Sequence, residues 1–109
     1  MHFSVEQLCR ILGGAMLTQM IGRSDIFSKN GAHVDGIFKK RLEVIDKMVW
    51  YLKGAYTDEG IALWFLRKHA ELGEKSAFSL LNRAWNPSGL ETRSVIELAR
   101  AQSTSSERL

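Results

Sequence analysis

The chain has 109 residues, 45% of them hydrophobic and 25% charged, with a formal net charge of +3. That length suits one domain and argues against two independent cores, and the composition excludes a chain disordered throughout. The mild basic excess attracts phosphate without the density of a polybasic protein, so it permits a nucleic-acid partner and does not demand one.

Ser4, with Gln7 three residues on, has the capping-box spacing and predicts a helix over residues 5–12, its apolar face made of Val5, Leu8, Cys9, Ile11 and Leu12. Gly13 and Gly14 can end that helix and turn the chain. A second short helix over 15–21 carries Met16, Leu17, Met20 and Ile21 and stops at Gly22. Ser24 reads as another N-cap with Asp25 in a favourable first turn, but Asn30 and Gly31 leave room for only a turn or two.

From Asp35 to about Gly54 the pattern becomes a long amphipathic helix, with Phe38, Leu42, Ile45, Val49 and Leu52 at spacings of four and three. Val44, Met48 and Tyr51 widen its stripe, so it is expected to pack both on its own domain and on another chain. Thr57 caps the next helix, with Asp58 and Glu59 in its first turn. Ile61, Leu63, Trp64, Phe65 and Leu66 make this the most apolar segment, expected to be largely buried, with Arg67, Lys68 and His69 at its C-terminal end and a turn at Gly73. A further helix fits 76–84. The run Asn86, Pro87, Ser88, Gly89 breaks the chain before a last helix over 90–101, and the Ser/Thr-rich end from Ser103 is expected to fray.

No strand pair and no internal repeat is expected. The fold class is therefore all-α: a helix-turn-helix-like unit and long linking helix over 1–56, a helical interaction module over 57–102, and a disordered tail over 103–109.

Over residues 5–41 the order is helix, short helix, glycine-containing turn, short helix, longer helix, which resembles helix-turn-helix domains. In those domains the second helix of the pair enters the major groove. The corresponding segment here offers Arg23, Ser24, Ser28, Lys29 and Asn30 as contacts to duplex DNA, and Lys39, Lys40 and Arg41 as flanking phosphate contacts. The plainer alternative is a capped connecting helix with solvated polar groups. Glu43 and Asp46 can pair with Lys39 or Lys47 across a helical turn, so the flank is not a pure basic patch.

Trp64, Phe65 and Leu66, then Leu72 and Gly73, then Ser76, Ala77, Phe78, Leu80 and Leu81, then Val95 and Leu98 form a second pattern. Over about residues 60–101 it resembles the C-terminal toxin-binding domain of the Xre/MbcA/ParS antitoxins, and the preceding half resembles the helix-turn-helix domain that accompanies it. Ala77 stands where that family usually has proline, and the recognition segment is shorter by about two residues. The resemblance implies a homodimeric regulator that binds operator DNA through its N-terminal half, with a toxin as a second partner. In the alternative reading the chain is a protein-binding module, toxin-neutralising or partner-recruiting, that has lost sequence-specific DNA reading. Trp64, Phe65, Phe78 and Leu81 would be core in any helical domain.

Trp50 and Trp85 lie outside the most regular apolar pattern and are the candidate partner-binding anchors, although Trp85 can equally pin the proline loop to the core. His2, His33 and His69 are far apart and read as satisfied or solvent-exposed polar groups. Cys9, the only cysteine, lies on an apolar face and excludes an intrachain disulfide. Neither a zinc-site spacing, a phosphate-binding glycine loop nor a catalytic triad pattern is present, so no cofactor, no metal and no enzymatic activity is expected. No apolar run approaches the ~18 residues of a membrane span, and the expected location is cytoplasmic.

Overall fold

Helix α1 (Val5–Leu12) starts with its capping box formed: Ser4 Oγ accepts from the Gln7 amide at 3.1 Å, and Gln7 Oε1 accepts from the Ser4 amide at 2.8 Å. Gly13, at φ 92° and ψ 143°, ends α1 and begins α2 (Gly14–Ile21) in a conformation that a Cβ disfavours. Helix α2 closes at Gly22 in the left-handed region. The computed structural model describes residues 2–22, 36–82 and 85–107.

Helix α3 (Gly36–Lys53) buries Leu42, Ile45, Met48, Val49 and Leu52, the stripe that the spacing predicts. Helix α4 (Asp58–Leu66) is capped by Thr57, whose Oγ1 accepts from the Gly60 amide at 3.2 Å. It stops at Leu66. Arg67, Lys68 and His69, expected at its C-terminal end, instead leave the helix. Strand β1 (Lys68–His69) pairs antiparallel with β2 (Lys75–Ser76), which corrects the expectation that no strands would form. A 3-10 turn (Ala70–Leu72) joins them, and Gly73 and Glu74, at φ 70° and 63°, reverse the chain. His69 is buried here, with Nε2 hydrogen-bonded at 3.0 Å to the carbonyl of Trp64.

Ser76 caps the single-turn helix α5 (Ala77–Leu80), shorter than the helix expected over 76–84 because Leu81 leaves helical geometry. Helix α6 (Leu90–Glu107) runs on through Ser103, where fraying was expected. Packing explains the extension: the Tyr56 hydroxyl donates to Gln102 Oε1 at 2.8 Å, and Ser103 Oγ lies 3.0 Å from where a Cβ on Gly54 would sit.

Mostly helical, the molecule has six α-helices among the described residues beside the two-residue ribbon. Helices α3 and α6 pack along each other, as do α1 and α4. Buried side chains from both sides of residue 56, among them Leu17, Ile45, Trp64, Phe65, Leu81 and Val95, form one hydrophobic cluster. The segments 1–56 and 57–102 therefore share a core. No helix among the described residues is long and apolar enough to cross a membrane.

Candidate functional site

The first turns of α3 carry the basic run. Lys39 and Lys40 are exposed, and the next residue is not: Arg41 is 7% exposed. Its guanidinium donates from Nη1 to the carbonyl of Ile21 at 3.1 Å and from Nε to the carbonyl of Trp85 at 3.2 Å. The guanidinium carbon stands 5.7 Å from the Phe38 ring centre and 5.8 Å from that of Trp85. A buried cation is tolerable in this position because it sits at the carbonyl end of α2, where the helix dipole is negative. Arg41 is thus not available to phosphate as the sequence reading had it, and the flank is reduced to Lys39 and Lys40.

Trp85 completes the same cluster. It is 7% exposed, and its indole N–H donates to the carbonyl of Met20 at 2.6 Å. Of its two readings, the pin prevails over the exposed anchor, because a buried indole N–H needs an acceptor and the end of α2 supplies one. Two carbonyls at the C-terminus of α2 are therefore capped from a distance, one by α3 and one by the loop before α6. The five proposed base and phosphate contacts, Arg23, Ser24, Ser28, Lys29 and Asn30, lie outside the described residues, immediately beyond this capped end.

Trp50 is 52% exposed. The His2 ring stacks on it, with ring centres 4.3 Å apart and planes 13° from parallel. Asp46 holds this N-terminal segment in place, accepting from the amides of His2 at 2.9 Å and Phe3 at 2.7 Å. It is buried, so the expected pairing of Asp46 with a neighbouring lysine does not form; two backbone donors take its place. Lys40, Glu43, Lys47 and Trp50 remain as the exposed row of α3.

Helix α4 turns Ile61, Trp64 and Phe65 inward but leaves Leu63 64% and Leu66 54% exposed. The expectation of a largely buried segment is corrected for these two. They lie on the outer side of a short helix that has one packed face, and a run of consecutive apolar residues carries no period from which that side could be read. A cleft of about 500 Å³ lies between α5 and the start of α6, where, among the described residues, Leu80, Trp85 and Leu90 are joined by Glu91 as the one ionisable side chain. Among the described residues that lining offers a surface and no acid–base pair.

Comparison of the chain with models of known protein families, with curated proteins and with solved structures finds no match to a family model and no significant match to a protein or a structure.

Proposed function

We propose that the protein is a DNA-binding regulator of antitoxin-like build, which engages duplex DNA as a homodimer through residues 23–30 and the exposed lysines that open α3. The observation that carries this reading is the clamp on the end of α2. A segment that reads DNA must leave a platform that holds its position when phosphates are engaged. Here the last carbonyls before that segment are fixed by Arg41 and Trp85, from elements 20 and 65 residues away in sequence. Lys39 and Lys40 are exposed beyond the other end of the segment, where they can neutralise phosphate.

Fluorescence anisotropy with duplex DNA at several salt concentrations tests the reading. Affinity falls as salt rises, and the Lys39→Gln/Lys40→Gln variant flattens the slope of log K against log salt by about 3.6 for the bound dimer, two phosphate contacts from each copy at about 0.9 each. A titration with no salt-dependent binding to any duplex overturns it.

The outward leucines of α4 favour a second reading, in which the chain binds a protein partner. Leu63 and Leu66 are one helical turn apart on the same exposed side, and the resemblance of residues 60–101 to a toxin-binding domain supports their use. A toxin encoded beside this chain would co-purify with it and be lost from a Leu66→Asp variant. Retention by that variant removes α4 from the interface.

A further inference from the structure

One side of helix α3 is packed into the core, and the other carries Lys40, Glu43, Lys47 and Trp50 in solvent. Their spacings of three, four and three residues keep them in a single row along the helix. We propose that this row is the contact between two copies of the chain, with the two α3 helices antiparallel and a twofold axis passing opposite residue 45.

The order of charges selects this register. In a twofold contact, whatever one copy offers it also receives. With the axis opposite residue 45, Glu43 of one copy meets Lys47 of the second copy, and the reverse pair forms on the other side of the axis. The aliphatic stems of Lys40 and Lys39 lie along Trp50 and Tyr51 of the second copy, with their ammonium groups at the rim of the contact, where they still face phosphate. Sliding one helix by a turn brings Glu43 against Glu43 in one direction and Lys47 against Lys47 in the other. A parallel arrangement sets every residue against its twin. Among these arrangements, the antiparallel one centred on residue 45 matches opposite charges and opposes no like ones, which is how charge specifies a register.

Trp50 is ready for such a contact. With His2 stacked on its ring and the amides of His2 and Phe3 tied to buried Asp46, the indole is held in place before any partner arrives. A fixed aromatic side chain loses little freedom on association.

The geometry also deepens the DNA reading. Nine residues at about 1.5 Å each set Gly36 ~13 Å from the axis, so the two N-terminal ends of α3 stand about 27 Å apart. That separation is of the same order as the ~34 Å between operator half-sites on one face of the duplex. The pairing rests on that reading only for the existence of a second copy, and it is measured without DNA.

Sedimentation equilibrium of the full chain, alone in solution, is the experiment. Glu43→Lys and Lys47→Glu each place like charges together twice across the axis, and each weakens the dimer at least about tenfold. The combined Glu43→Lys/Lys47→Glu variant restores opposite pairs and returns to within about threefold of the parent chain. Both positions are exposed, and unchanged circular dichroism confirms folding in each variant. A chain monomeric at about 0.1 mM, a dimer indifferent to both single changes, or reversals whose effects add when combined, overturns the proposal. A dimer that responds as expected but ignores duplex DNA overturns the DNA reading alone, and a monomer with salt-dependent DNA binding overturns the pairing alone.

Discussion

Arg41 and Lys40 are adjacent in sequence and opposite in circumstance. Removing the Lys40 charge takes nothing from the folded state that water does not replace, whereas removing the Arg41 guanidinium leaves the carbonyls of Ile21 and Trp85 buried without their donor. An acceptor stranded in that way costs about 1–3 kcal/mol. Arg41→Met, which keeps much of the apolar stem, is therefore expected to lower stability to urea by about 2–4 kcal/mol, while Lys40→Met stays within about 0.5 kcal/mol. Equal effects of the two changes would remove the clamp from the account. Part of this contrast was legible in the sequence. Arg41 precedes Ile45 by four residues and so falls on the buried side of α3, and Asp46, three before Val49, falls beside it. Reading Lys39, Lys40 and Arg41 as one basic run overlooked the helical phase. What the phase could not supply was the acceptors, which lie 20 and 44 residues from Arg41 along the chain.

At the level of elements, local signals succeeded where a helix had a complete start. The Ser4 and Thr57 caps place α1 and α4, Gly22 ends α2, and the four-and-three spacing gives the buried side of α3. They failed in the stretch between Leu66 and Leu81. Strands of two residues are too short to show an alternating pattern, and what makes the ribbon is the pair of left-handed residues at its tip. Gly73 adopts its φ of 70° freely, whereas alanine there would bring its Cβ against its own backbone, although no neighbouring side chain crowds the site. Gly73→Ala is accordingly expected to cost about 1–2 kcal/mol. The loss should be accompanied by faster amide exchange at Glu74, whose N–H donates to the His69 carbonyl at 2.9 Å. Unchanged stability and exchange would mean that the tip is not held in this conformation. The end of α6 was missed for a different reason, since the Tyr56 to Gln102 hydrogen bond that supports it joins residues 46 apart.

For the molecule as a whole, the shared core and the clamp make the two halves mechanically one. Trp85 belongs to the C-terminal segment, yet its indole N–H caps α2, the helix that leads into the proposed reading segment. A change at Trp85 should therefore reach DNA binding without removing any contact to DNA. Trp85→Phe retains an aromatic ring and deletes only the N–H and part of the ring system, leaving the Met20 carbonyl without its donor at a cost of about 1–3 kcal/mol. In an anisotropy titration this variant is expected to bind duplex DNA more weakly with an unaltered salt slope, because the number of neutralised phosphates is the same. The lysine variant differs in kind, since its slope flattens. The two can be compared at a temperature where urea unfolding shows both to be fully folded, which separates weakened support from lost fold. A Trp85→Phe chain with parental affinity would show that the clamp serves stability alone, and one with a flattened slope would place Trp85 in contact with the nucleic acid, against its burial beneath α2.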